Sequence, residues 1–268
     1  LINKKLRDQK LNYIFLQHGV MYMVSLNSKS RRFFHKKRTK GLKRVVVSSH
    51  LEEKHFTDFA KYTPEDIYVC GVPKFDRNEW NQDADKIIIM PTWRPWEYNQ
   101  ARLNFTQTKY YQMITRILDS IPKEYEENII VLPHPLIAES MNEIDDEILK
   151  YMNFDSKYDD LLKDTKVLIT DYSSIAYDAF YRGSNVIFYW EEKDYCMECY
   201  GENTNLMLNE ENTFGDICYN TQDLKSVFDK NYLKGQEERY ITNYRHIVEF
   251  NDGKNTERLI EYMKRDNI

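Results

Sequence analysis

Residues 167–183 read VLITDYSSIAYDAFYRG. Val167, Leu168 and Ile169 form an apolar run without alternation, the mark of a strand buried on both faces. The run stops at Asp171. Ser173 and Ser174 follow, and then Ile175, Ala176, Ala179 and Phe180 recur at helical spacing. Asp178 and Arg182 are placed to pair at i,i+4 on another face, and Gly183 is a C-terminal stop. Buried strand, polar turn and helix make the repeating step of a parallel α/β sheet. A helix N-terminus has unsatisfied N–H groups and the positive end of the helix dipole, and serine hydroxyls add donors, so this turn suits a phosphate. A serine there also serves simply as an N-cap, and the pattern alone leaves both readings standing.

The same step recurs along the chain. Strands are expected at 13–17, 44–49, 66–71, 86–93, 128–135, 166–171 and 185–190, with helical patterns at 50–63, 110–121 and 159–165 between them. Apolar strands alternating with helices predict a doubly wound α/β protein. A polar stretch at 78–85 is the expected boundary between two such units, and 236–268 reads as helices interrupted at Asp252-Gly253.

The 268 residues are 41% apolar and 30% charged, enough for a core and suited to a soluble protein, and no apolar run reaches the ~20 residues of a membrane span. The chain opens at Leu1 rather than Met and reads as a piece of a longer polypeptide. Net charge is −5, unevenly spread: Gln9 to Leu51 holds ten Lys/Arg and no Asp or Glu. The basic stretch 28–44, with Phe33 and Phe34 inside it, suits a polyanion or an anionic membrane surface, or is a solvated loop. Cys196-x-x-Cys199 has no second Cys or His pair to complete a zinc site, so the cysteines read as reduced thiols of a cytoplasmic protein.

The special residues fall just after strands. His18 follows the first, Thr92 and Arg94 the fourth, His134 the fifth, and Asp171, Ser173 and Ser174 the sixth. Ligands of open parallel sheets bind beyond the carboxyl ends of the strands. A strand-end histidine can take a proton from an attacking hydroxyl or pair with phosphate, and an arginine can hold phosphate bidentately. The competing readings are a histidine bonded to nearby backbone and an arginine in an ion pair. Lys254 is a further cation able to reach phosphate. There is no P-loop, no G-x-G-x-x-G, no H-E-x-x-H and no G-x-S-x-G. No nucleic-acid module is readable, and the acidic balance argues against one.

Taken in order, LQHG, GVPKFD, MPTWR, LPHP, LITDYSSIAYDAFYRG and FNDGKNTERLIEYM resemble the CDP-glycerol glycerophosphotransferase family of teichoic-acid and capsule polymer enzymes. The resemblance runs from residue 13 to about 262. It implies a GT-B-like architecture of two Rossmann-like domains facing across a cleft, the first only partly present. Residues 1–80 would be the end of an acceptor-side domain, 81–240 the donor-nucleotide domain, and 241–268 helices packing back. It implies transfer of a polyol phosphate, glycerol or ribitol, from a CDP donor to a hydroxyl of a polymer or lipid-linked acceptor at the inner face of the bacterial plasma membrane, with release of CMP. His18 would be the general base. His134, Ser173 and Ser174 would hold the donor pyrophosphate, with Arg94, Thr92, Asp171 and Lys254 as helpers. No cofactor is implied, and a divalent cation stays open. Well-known members follow His-Gly with Thr-Pro-Leu-Lys where this chain has VMYM, which leaves polyol and acceptor open. The competing functions are a GT-B glycosyltransferase using a sugar nucleotide and a non-enzymatic module binding polyanions or membrane surfaces.

Overall fold

The computed structural model describes residues 12–133, 146–153 and 157–267. Its strands are β1 (Tyr13–Phe15), β2 (Leu42–Val47), β3 (Ile67–Val69), β4 (Lys86–Ile89), β5 (Ile129–Val131), β6 (Thr165–Thr170), β7 (Asn185–Tyr189) and β8 (Asp216–Cys218). Among the described residues the helices of eight residues or more are α1 (His50–Ala60), α2 (Lys109–Leu118), α3 (Ile175–Arg182), α4 (Lys193–Tyr200), α5 (Thr221–Leu233), α6 (Glu238–Ile247) and α7 (Asn255–Arg265). None of the described helices is long and apolar enough to cross a membrane.

The chain divides into two compact units. The first takes the residues up to Arg77, Asp194–Thr213 and the residues from Ile241 onward; the second takes Asn78–Lys193 and Phe214–Tyr240. The first division falls between Arg77 and Asn78. The return of 194–213 to the first unit departs from the expected division into consecutive blocks.

The first unit is built on a parallel sheet in the order β1-β2-β3. The uninterrupted valines of β2 are explained by cover on both faces. Val45 and Val47 pack with Phe56 and Ala60 of α1, while Val46 packs with Tyr68, Cys70 and Leu259 of α7. α1 starts at Ser49, whose side chain accepts the Glu52 N–H, and stops at Lys61, which takes a left-handed conformation. Segment 194–213 joins through an antiparallel bridge between Val24 and Leu206.

Five parallel strands in the order β5-β4-β6-β7-β8 form the second unit. Ile87, Ile89, Val167, Ile169 and Ile187 point to one face, where Met113, Ile114 and Ile117 of α2 and Phe228 of α5 cover them. On the other face Phe188 meets Phe214, which also packs on Tyr177 and Phe180 of α3. The eighth strand was not expected from the sequence: it is three residues long and opens on a buried aspartate, Asp216. The expected Asp178–Arg182 pair is replaced by other contacts. Arg182 donates to Asp159, to the side chain of Asn78 and to the Glu79 carbonyl.

The strand order places a topological switch point in the second unit. The chain leaves β4 toward β5 on one side, then crosses back to lay β6 on the other. The loops after β4 and β6 therefore diverge, and the crevice between them is the binding position of such sheets.

Candidate functional site

The loops that flank this switch point are Met90–Arg94 and Asp171–Ser174. Asp171 ends the central strand and is 1% exposed. Its Oδ1 accepts the backbone N–H of Thr92 at 2.7 Å and that of Tyr172 at 2.6 Å. Its carbonyl accepts Trp190 Nε1–H from the end of β7 at 3.1 Å. The Thr170 hydroxyl closes the same edge by donating to the Met90 carbonyl at 2.7 Å. Burial pushes the Asp171 carboxyl up, while Arg94 and the converging donors favour its ionised form. Asp171 is thus a knot between loops rather than a side chain offered to a ligand.

Ser173 and Ser174 lie half-buried just beyond this knot. Ser174 is the N-cap residue of α3 and makes no side-chain capping bond. Ser173 Oγ accepts the Ile175 N–H only at 3.4 Å. Their hydroxyls are therefore little used by the helix start, which separates them from the ordinary capping role. α3 itself is held down by buried Ala176, Tyr177, Ala179 and Phe180. Two hydroxyls and a helix N-terminus beside a switch point have the chemistry that suits an anion such as phosphate.

Arg94, expected to reach phosphate, lies elsewhere. It is 2% exposed, its Nη1 donates to Glu192 and stands 3.6 Å from Glu97 Oε1, and Nη2 lies 3.2 Å from Met113 Sδ. A guanidinium so placed supplies internal counter-charge. Thr92 contributes its backbone N–H to Asp171, and its side chain is half-buried.

In the first unit His18 is exposed at the carboxyl end of β1, on a loop fixed from both sides. Gln17 sits in the left-handed region at φ 61° and its Nε2 donates to the Val46 carbonyl at 2.6 Å. Glu52, fully buried, accepts the Met21 N–H at 2.6 Å on one oxygen. Its other oxygen accepts the Ser48 N–H at 2.6 Å and the Ser48 hydroxyl at 2.8 Å. Burial pushes the Glu52 carboxyl up, against the pull of these donors. Lys74 Nζ donates to the His18 carbonyl at 2.7 Å, bringing a cation from the end of β3 to the histidine.

Lys254 stands exposed at the start of α7. The next two N–H groups, of Asn255 and Thr256, go to Asp76 at 2.9 and 2.6 Å. The GVPKFD and NDGKNTER motifs are therefore a structural clasp: Gly71, at φ 82°, leaves room for Asn255, and Arg258 donates to the Cys70 carbonyl at 3.3 Å. His134 lies outside the described residues.

The structure thus brings Thr92, Asp171, Ser173 and Ser174 together and buries Arg94 in the same unit, while His18 and Lys254 belong to the other unit. Glu52, Gln17, Lys74 and Trp190 were missed as supporting residues. Only Glu52 carried a signal, the Ser49-x-x-Glu52 spacing of a capping box, and its carboxylate reaches Ser48 and Met21 instead of closing that box. Among the described residues no three His, Cys, Asp or Glu side chains gather where a metal could bind.

Comparison with known proteins gives three results. The model of the CDP-glycerol:poly(glycerophosphate) glycerophosphotransferase family matches residues 3–264. The minor teichoic acid biosynthesis protein GgaB of Bacillus subtilis (strain 168) is 24% identical over 265 residues, 92% of this chain, and the chain spans 28% of that protein's length. The structure of the wall teichoic acid polymerase TagF superposes with a TM-score of 0.69 at 20% identity, over 95% of this chain and 68% of that one. A histidine-to-asparagine variant of TagF soaked with CDPG gives 0.66 at 17% identity, over the same shares. At these identities the superpositions establish a shared fold.

Proposed function

The chain belongs to the CDP-glycerol:poly(glycerophosphate) glycerophosphotransferase family, and on that footing we propose that it transfers glycerol phosphate or ribitol phosphate from a CDP donor to an acceptor hydroxyl in teichoic-acid or capsule polymer synthesis. The observation that carries this reading is the pair Ser173-Ser174 at the N-terminus of α3, beside the switch point, with hydroxyls left over from capping.

The chemistry needs a base and a place for charge. The acceptor oxygen attacks the phosphorus that bears the polyol. A P–O bond forms to it as the bond from that phosphorus to the bridging oxygen breaks, and CMP leaves with the electron pair. His18 takes the proton from the attacking hydroxyl, a contribution of about 10²–10⁴ in rate. Its loop, held by Gln17, Glu52 and Lys74, supports this assignment by holding the residue on a fixed backbone. Ser173, Ser174 and the α3 N-terminus take the pyrophosphate, and we assign His134 to the same donor from its place in the sequence. Charge placed in advance where the pyrophosphate sits lowers the barrier without reorganisation.

The basic stretch supports peripheral attachment to an anionic membrane at the cytoplasmic face. Lys36 and Arg44 pair with Asp66 and Asp266, but Lys37, Arg38, Lys40 and Lys43 are exposed with no acidic partner among the described residues, and Phe33 is 49% exposed beside them. Sedimentation with anionic vesicles that weakens in salt is the expected behaviour.

The deciding experiment is product analysis with the full-length protein. CMP and a new phosphodiester from CDP-glycerol or CDP-ribitol are expected. UDP and a glycoside from a UDP-sugar, with no CMP, would replace this reading by a glycosyltransferase.

A further inference from the structure

We propose that Asp171 is a positioning residue for donor binding: its carboxylate, turned into the protein, sets the turn that offers Ser173 and Ser174 at the switch point and does not meet the phosphates. The inference rests on the donor assignment above. A carboxylate three residues from a pyrophosphate site repels the ligand if it faces outward, and here it faces inward. Two backbone donors converge on one oxygen, Thr92 N–H at 2.7 Å and Tyr172 N–H at 2.6 Å. One comes from the β4 loop and the other from the residue before the serines, so a single atom links both walls of the crevice. Such charge-assisted bonds are shorter and stronger than neutral ones. Trp190 adds the β7 loop by donating to the Asp171 carbonyl at 3.1 Å.

Tyr172 on one side of the serines and Ala176 on the other are buried, at 3% and 0% exposure. The half-buried residues Ser173–Ile175 are thus suspended between fixed points, and the Asp171 oxygen is the fixed point on the strand side. The charge of buried Arg94 favours the ionised form of this carboxylate, against the effect of burial. Loss of the knot lets the turn relax by a fraction of an ångström. A misplacement of about 1 Å costs about 10²-fold in a reaction governed by geometry, and a smaller shift costs less.

The test uses Asp171→Ala, Asp171→Asn and Asp171→Ser in the full-length protein, with donor KM, acceptor KM, kcat, calorimetric donor binding and melting temperature measured for each. Asp171→Ala is expected to raise the donor KM about tenfold or more and leave the acceptor KM unchanged. Asp171→Asn, which keeps an acceptor oxygen at the same place, should stay within about threefold of wild type. A purely structural residue would move melting temperature without this donor-specific rise and rescue. Wild-type donor KM in a folded Asp171→Ala protein overturns the proposal, and so does an Asp171→Asn protein as impaired as the alanine variant. If Asp171→Ala does not fold, Asp171→Ser, measured in the same way, decides, since its shorter side chain gives up the carboxylate's reach to the Thr92 N–H. A donor KM raised about threefold supports the role and an unchanged one overturns it. Wild-type protein that binds another nucleotide and not a CDP-polyol refutes the functional reading instead; the same variants titrated with that nucleotide then test the positioning role.

Discussion

His55 lies on α1, one turn beyond Glu52, and its ring is 2% exposed. It packs edge-on to Tyr22 at 5.3 Å and against Phe59 at 5.1 Å, and neither ring nitrogen has a hydrogen-bond partner among the described residues. Burial pushes its pKa down from 6.5 to about 4, Arg31 adds to the effect, and the Val24 backbone and Asp58 oppose it. The folded state therefore holds His55 neutral where the unfolded chain is already protonated. Between pH 6.5 and 4 the unfolded state binds more protons, so stability is full above 6.5 and falls as pH falls toward the folded value. The width of that window corresponds to about 3 kcal/mol. The perturbation is His55→Phe, which keeps an aromatic ring between Tyr22 and Phe59 and cannot titrate. Amide exchange of the buried β2 residues Val45–Val47 reads the first unit directly. The four tryptophans, Trp80, Trp93, Trp96 and Trp190, all lie in the second unit and give an internal reference. Wild type should lose about 3 kcal/mol relative to the variant between pH 7.5 and 4, and the ring proton should titrate near 4 by NMR. A flat difference across that range, or a midpoint near 6.5, would refute the reasoning.

His18→Ala should lower CMP release about 10²–10⁴-fold while donor binding by calorimetry stays near wild type; full turnover in that variant would end its assignment as the base. Gly71→Ala forces a side chain into a φ of 82° with its Cβ 2.0 Å from Asn255 Oδ1, so a loss of about 2 kcal/mol or more in unit 1 stability is expected. Adding Asn255→Ala should return the steric part, and strict additivity in that double-mutant cycle would show that the clasp is not the cause. Asp216 accepts Lys230 Nζ at 2.8 Å, Asn231 Nδ2 at 2.8 Å and the Tyr240 hydroxyl at 2.7 Å. Burial raises its pKa, but these partners together bring it below the usual value. Its contribution is present above the unfolded value near 3.9 and is lost as pH falls through the lower folded one. Asp216→Asn should cost about 3 kcal/mol in tryptophan-detected urea unfolding at neutral pH, and a cost under ~0.5 kcal/mol would show the network to be idle.

Seven of the eight strands among the described residues could be read from apolar runs, because strands covered on both faces need little beyond local composition. β8 could not be read, since Asp216-Ile217-Cys218 joins the sheet through a buried aspartate whose partners come from α5 and the start of α6. The turn after β6 was visible as a hydroxyl pair opening a helix. The role of its aspartate was not, because the direction of that carboxylate is decided by the Thr92 amide on a loop distant in sequence. Arg94 shows the same limit. PTWRPW in isolation offers a cation, and Glu192, beyond the end of β7, takes it inward. Local pattern thus located the loops, and long-range pairing decided which side chains remain to act.

The first unit is assembled from pieces that the ribosome delivers far apart in time. One face of β2 and β3 is covered by Leu259, with Tyr262 and Met263 beside it, and nearly the whole second unit is translated between β3 and that cover. At ordinary synthesis rates the interval is roughly 10–40 s. For that period Val46 and Tyr68 have no lid, so the nascent chain carries an exposed apolar sheet face while the five-stranded unit behind it is already able to close. Truncation before α7 would make that transient state permanent, and such products are expected to depend on chaperones and to be cleared by proteolysis.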